Sequence, residues 1–304
     1  MTLSEPSSTP DAASAGTGQD MPPFRLRRPE AGAPATPLVF ASPHSGAVYP
    51  ATMMAAAALD EAVLRRSEDA LVDDLIAEAP NHGARLIAGA YGRAYIDLNR
   101  DPAELDPAMF EGEAPEHVQG RTARVAAGLG AIAKLAGEGQ KIYARKLTWD
   151  EAHQRIEGAH RPYHDALARL LGEAHAAHGM AVLIDWHSMP AAAARTVVTP
   201  RHGKGCDIVL GDRFGAACSP MLTRLVERTL EDLGYRVVRN APYAGGYTTE
   251  HYGRPSRRTH ALQIEIDRRL YMDEATRAPH EGFARLKADI GAVTAALVEG
   301  WQGL

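Results

Sequence analysis

Two histidines stand directly after apolar runs of this 304-residue chain. His44 lies in Ser42-Pro43-His44-Ser45-Gly46, after Leu38-Val39-Phe40-Ala41, and His187 lies in Asp185-Trp186-His187-Ser188, after Met180-Ala181-Val182-Leu183-Ile184. A lone histidine in such a place is ordinarily a hydrogen-bonded loop residue. Two at the ends of separate buried strands suggest more, because neutral imidazole is the commonest zinc ligand. A catalytic zinc site takes three protein ligands and keeps one position open for water. The H-x-x-E spacing is missing, since Ala47 stands three residues after His44, so the third ligand must come from elsewhere. Asp69, in Ser67-Glu68-Asp69-Ala70-Leu71, is the choice, at the opening of a helix expected over 67–79. An acid in a first turn is also what the helix dipole favours, and Glu68 stands beside it as competitor.

Glu265 gives a different signal. In Leu262-Gln263-Ile264-Glu265-Ile266, alternation puts Gln263, Glu265 and Asp267 on one face of a strand and the aliphatic residues on the other. A carboxylate inside an interior strand is costly unless paired, liganded or used, and burial would raise its pKa toward that of a general base. On an edge strand the same pattern is only a solvated face. Asn99 and Arg100 follow the apolar run Tyr95–Leu98 and are a further polar pair at an expected strand end. Gly245-Gly246-Tyr247 and the stretch from Tyr252 through Arg254, Arg257 and Arg258 read as a loop able to grip an anion, or as a basic turn in solvent. Tyr163 and His164 open a helix as surface or substrate contacts.

The elements that must position these residues alternate. Apolar runs at 38–41, 85–87, 94–98, 180–184, 196–198, 207–210, 236–238 and 261–266 read as strands. Helical stripes fall between them, the clearest with Ser219 as N-cap, Pro220 at its first position and Gly234 as stop. Such alternation predicts an α/β fold with a largely parallel sheet covered on both faces. Residues 1–25, rich in Ser, Thr, Ala and Gly at the start, read as a disordered lead-in, and 26–304 as one domain. Hydrophobic residues make up 45% and charged residues 23%, enough for a sizeable core, and the net charge of −5 argues against a nucleic-acid or anionic-membrane footprint. No apolar run is long enough to span a bilayer. Cys206 and Cys218, far from any C-x-x-C spacing, exclude a disulfide framework and fit a reducing cytosol, hence a cytoplasmic expectation. Homo-oligomerisation is left open.

Seven segments taken together resemble the N-formylglutamate amidohydrolase (deformylase) family: Pro43-His44-Ser45-Gly46, Tyr95–Arg100, Arg161-Pro162-Tyr163-His164, Asp185–Ser188, Val209–Arg213, Pro242–Tyr247 and Gln263–Met272. They occur in one order over nearly everything after residue 35. The family is similar to zinc carboxypeptidases and to the aspartoacylase and succinylglutamate desuccinylase group. That kinship implies a mixed, largely parallel sheet between helices, of the zinc-carboxypeptidase kind. It also implies Zn2+ held by His44 and His187, an acidic residue opening the helix at 67–79 (hence Asp69), and Glu265 as base. Asn99 and Arg100 would face the substrate, Arg100 or Arg93 the oxyanion, and Tyr163, His164, Tyr247, Arg254 and Arg257 are the other expected contacts. The implied reaction releases formate from N-formyl-L-glutamate, a small dianionic N-acyl amino acid of histidine degradation. Other N-acyl amino acids or peptides would suit the same metal site, and a catalytically silent binding protein would require loss of metal or base.

Overall fold

The structure, a computed structural model, describes residues 21–136, 139–199 and 203–304. Its principal strands are β1 (Phe24–Arg27), β2 (Leu38–Ser42), β3 (Arg85–Gly89), β4 (Ala181–Met189), β5 (Ile208–Gly211), β6 (Val237–Arg239) and β7 (Thr259–Asp267). They form one seven-stranded sheet in the order β1-β3-β2-β4-β7-β5-β6. β3, β2, β4 and β7 run parallel, β1 is antiparallel to β3, and β5 runs antiparallel to β7 and parallel to β6. The sheet is therefore mixed and largely parallel, as expected.

Helices cover both faces. Leu38, Phe40, Val182, Ile184, Trp186, Leu262, Ile264 and Ile266 point to one side. There they pack against α1 (Val72–Leu75), α4 (Pro220–Asp232) and α6 (Gly282–Gly300). Val39, Ala41, Ala181, Leu183 and Ala261 point to the other side and meet Tyr163, Ala166, Leu167 and Leu170 of α3 (Arg161–His178). Each large aliphatic side chain so buried contributes roughly 1.5–3 kcal/mol. The caps agree with the sequence: Ser219 accepts from the Met221 N–H at 3.2 Å, Pro220 opens α4, and left-handed Gly179 closes α3. The shorter helices are α2 (Trp149–Arg155) and α5 (Tyr247–Tyr252).

Along β4 and β7 the second face changes character. Its amino-terminal half, Ala181, Leu183 and Ala261, is apolar core under α3. Its carboxyl-terminal half carries Asp185, His187, Gln263 and Glu265, with Gln263 opposite Asp185 and Glu265 opposite His187 in register. The apolar half anchors the strands while the polar half lines a cleft.

Three expectations are corrected. Residues 94–98 are not a strand but a succession of turns, in which the Tyr95 and Ile96 N–H groups both turn back to the Gly92 carbonyl and the Asp97 side chain accepts from the Asn99 N–H at 2.9 Å. The helix expected over 67–79 is broken: only Val72–Leu75 is α-helical, and Leu71 before it is left-handed at φ 65°. A non-glycine residue there costs roughly 1–2 kcal/mol, offset by the contacts of the chain just ahead of it. The lead-in expected over 1–25 stops short of that, because Phe24 already pairs with Gly89 at the sheet edge; residues 1–20 of that expectation lie outside the described residues.

Candidate active site

His44, Asp69 and His187 converge although three unrelated elements carry them. His44 stands two residues past β2, and His187 lies within β4. Asp69 is brought over by a main-chain bond, its N–H donating to the His44 carbonyl at 3.0 Å. The His44 Nδ1 lies 3.1 Å from the His187 Nδ1, and the Asp69 Oδ2 lies 3.3 Å from the first and 3.1 Å from the second. All three side chains are buried. Ligands on a tetrahedral cation at about 2.0–2.1 Å would be separated by about 3.3–3.4 Å, so this triangle has the dimensions of one face of such a shell. Two imidazole nitrogens and a carboxylate oxygen this close need something positive between them, and these three residues form the metal-type cluster found among the described residues.

Each converging group is held from behind. The second nitrogen of His44 lies 2.7 Å from Asp97 Oδ1, and the Arg93 Nε donates to Asp97 Oδ2 at 2.9 Å. The Nε2 of His187 lies 2.9 Å from Asp185 Oδ2, close but poorly aligned, so that neither oxygen of this wholly buried carboxylate makes a proper hydrogen bond among the described residues. The Arg268 guanidinium donates to Asp69 Oδ1 at 3.1 Å and, through Nε, to the Ser188 hydroxyl at 3.2 Å. Carboxylates behind metal-binding imidazoles fix the tautomer and raise the basicity of the ligating nitrogen. The carboxylates of Asp69, Asp97, Asp185 and Glu265 gather around these donors, with the guanidinium groups of Arg93, Arg268 and Arg100 among them.

The electrostatics agree. Burial alone would lower His187, yet the carboxylates of Asp185 and Asp69 hold it well above the ordinary imidazole range. Burial alone would raise Asp69, yet bonding to His187 and His44 and the charge of Arg268 hold it well below the ordinary carboxylate range. Glu265, only 7% exposed on an interior strand, is raised chiefly by burial, which His187 opposes and Asp69 reinforces.

The site opens into a cleft of about 620 Å³, whose lining includes His44, His187, Glu265 and Gln263 together with Arg66, Arg93, Arg100, Arg124 and Arg268. Arg100 gives its guanidinium hydrogen bonds to the carbonyls of Asn99 and Leu129 and meets no carboxylate among the described residues. Asn99 also borders the cleft.

Other residues singled out in the sequence lie elsewhere. Glu68 turns away from the histidines, accepting from Tyr49 and Arg65 instead. Tyr163 is buried in the core beneath α3. His164 is outside the cleft lining, its Nε2 donating to the Leu98 carbonyl at 2.8 Å, and burial pushes it down to about 3, so it is neutral at physiological pH. Tyr247 packs against the rings of His160, His164 and His251. Arg254 and Arg257 are exposed at the amino end of β7, and the Arg254 guanidinium donates to the carbonyls of Glu250 and Gly253. Thr259 and Glu265 are six strand residues apart, which puts about 20 Å of strand between this loop and Glu265. Reasoning from sequence did not assign Asp97, Asp185, Gln263 and Arg268. Asp185 and Gln263 carried a usable signal, each two residues before a singled-out residue on its strand (His187 and Glu265) and hence on the same face.

Three donors that could hold a metal ion thus stand beside a buried carboxylate in a cleft, an arrangement suited to hydrolysis. Residues 36–272 match the N-formylglutamate amidohydrolase family, and the chain belongs to that family. The crystal structure of N-formylglutamate amidohydrolase from Ralstonia eutropha JMP134 is 40% identical, with a TM-score of 0.87 over 93% of this chain and 100% of that one. An N-formylglutamate deformylase of Pseudomonas putida is 30% identical over 241 residues, covering 78% of this chain and 82% of that protein. One of Pseudomonas aeruginosa is 29% identical over 266 residues, covering 86% of this chain and 90% of that protein. A gene product of Agrobacterium tumefaciens, 18% identical at a TM-score of 0.62, shares the fold. No helix among the described residues is long and apolar enough to cross a membrane.

Proposed function

We propose that this chain hydrolyses N-formyl-L-glutamate to formate and L-glutamate with a divalent cation, zinc, held by His44 Nδ1, Asp69 Oδ2 and His187 Nδ1. The observation that carries the reading is the compact triangle of those three atoms, 3.1–3.3 Å on each side, with Glu265 opposite His187 on the neighbouring strand. When bound, zinc supplies a Lewis acid that acidifies water and polarises a carbonyl. The chain's own residues do the rest. Glu265, whose proton affinity is raised by burial, accepts the proton of the attacking water as its oxygen bonds to the formyl carbon. The C–N bond then breaks as Glu265 returns that proton to the departing nitrogen, leaving formic acid and the amine, and the acid's own proton passes on to the amine to give formate and the ammonium form of L-glutamate. The Arg93 and Arg268 guanidiniums are committed to Asp97 and Asp69, so they orient the site. Arg100, which hydrogen-bonds carbonyls and no carboxylate among the described residues and lines the cleft, is suited to a substrate carboxylate or to the developing oxyanion.

The relatives' names support the formyl substrate, while the fold and metal site serve an acyl group of any size. Turnover of N-formyl-, N-acetyl- and N-succinyl-L-glutamate by the zinc-loaded protein, followed by the appearance of glutamate, tests this. Formyl should be preferred over acetyl by roughly 10–200-fold, the discrimination of a methyl-sized difference. Faster release from either larger acyl group would make the protein a hydrolase of another N-acyl amino acid, and no turnover of any would favour a binding protein.

A further inference from the structure

Between the metal ligands and the rim of the cleft lies a chain of side-chain amides that the reaction scheme above leaves unused. Gln263 and Asn99 are both buried, at 4% and 3% exposure. The Gly246 N–H donates to Gln263 Oε1 at 2.8 Å, and the Asn99 Nδ2 donates to the same oxygen at 3.3 Å. Two donors on one side settle which way the Gln263 amide points, so its NH2 group faces the other way and donates to Glu265 Oε1 at 2.8 Å. The Asn99 amide is fixed in turn, its Oδ1 accepting from the Thr248 N–H at 2.8 Å. Space leaves little freedom here, since a Cβ at residue 246 would sit 2.3 Å from Asn99 Nδ2. The Gly246 backbone itself is ordinary, at φ −99°, so the glycine serves the approach of Asn99 and not a turn. The other carboxylate oxygen of Glu265, Oε2, has no hydrogen-bond partner among the described residues.

We infer that Gln263, locked by Asn99 and Gly246, is a positioning residue that ties down Oε1 of Glu265 and leaves Oε2 as the oxygen that takes and returns the proton. Asn99 on this account is the brace of that arrangement and not a contact of the substrate, its Oδ1 engaged by Thr248 and its Nδ2 lying 3.3 Å from both Gln263 Oε1 and His187 Nε2. The inference rests on the proposed role of Glu265 as base. A long carboxylate side chain free to swing would spend much of its time misaligned for a proton transfer that tolerates little error, and the amide removes that freedom.

The test uses the full chain loaded with zinc, with Gln263→Met and Gly246→Ala made singly and together. The measurements are kcat and KM for formate release from N-formyl-L-glutamate, zinc content and thermal midpoint. Gln263→Met should lower kcat about 10–100-fold, the usual effect of losing a supporting partner, with KM within about twofold and zinc content unchanged. Gly246→Ala reaches the same contact by displacing Asn99, so it should lower kcat in the same way, and the double variant should be little worse than Gln263→Met alone. A parental kcat in Gln263→Met with a working parent overturns the inference alone. So does a raised KM at unchanged kcat, which would make Gln263 a substrate contact, or a loss of zinc in step with kcat, which would make it part of the metal cage. A zinc-loaded parent that releases no formate overturns the proposed function, and this inference with it.

Discussion

At Glu265 two demands on one side chain are met by its place on the sheet. The strand is interior, so burial raises the carboxyl, and the partner residue in register is His187, so whatever His187 ligates is within reach. Glu265→Gln preserves shape and removes the base: zinc content should stay at the parental level while kcat falls roughly 10²–10⁴-fold. His187→Ala should lose both zinc and turnover, and retention of either by this variant, measured by elemental analysis and formate assay, would contradict its assignment as ligand. Asp69→Asn should weaken zinc retention, whereas Glu68→Gln, bonded away from the histidines, should leave it unchanged. His44, His187 and Glu265 were legible because each is a polar residue out of place against an apolar run. Asp97 and Arg268 were not, because nothing local in the sequence marks a residue whose partner arrives from another element.

At the scale of elements, the regular pieces were readable and the irregular ones were not. The helix at 220–232 announces itself by cap, proline and stripe, β4 by the continuous apolar run at its start and β7 by alternation. The segment 67–79 has the same helical stripe but breaks at Leu71, since tertiary bonds from Asp69 to His44, His187 and Arg268 outweigh local propensity. Likewise Ala94–Leu98 has strand-like composition but turns, because Asp97 is needed behind His44. The loop holding Arg254 and Arg257 offered the right residue types at the wrong end of β7; alanine at either should leave KM for the substrate unchanged, and a rise of tenfold would restore the loop to the site. A pH dependence belongs to α2. There Thr148 and Glu151 form a capping box, and the hydrogen bond from Arg145, with the Thr148 N–H, takes Glu151 from 4.5 to about 2. A folded value below the unfolded one means stabilisation that is full above about pH 4.5 and lost as pH falls toward 2. The gap in melting temperature between parent and Glu151→Gln should therefore be constant near neutrality and close on acidification; a gap that widens in acid would contradict the sign.

For the whole molecule, the fold gathers the three donors from the chain after β2, from β4 and from the chain before α1, so a bound cation would tie separate elements together. The α/β class was legible from alternation, while the antiparallel insertion of β5 between β7 and β6 was not, because register and direction depend on partners distant in sequence. A ligand that binds only the folded state raises stability by about 2.7 kcal/mol at a hundredfold excess over its Kd, so the melting temperature should rise with added zinc and fall with a chelator. The most direct test of the central claim is formate release from N-formyl-L-glutamate by the purified chain, after chelation and again after zinc is restored. The account predicts no release from the metal-free protein and recovery on repletion; undiminished release after complete removal of metal would contradict it.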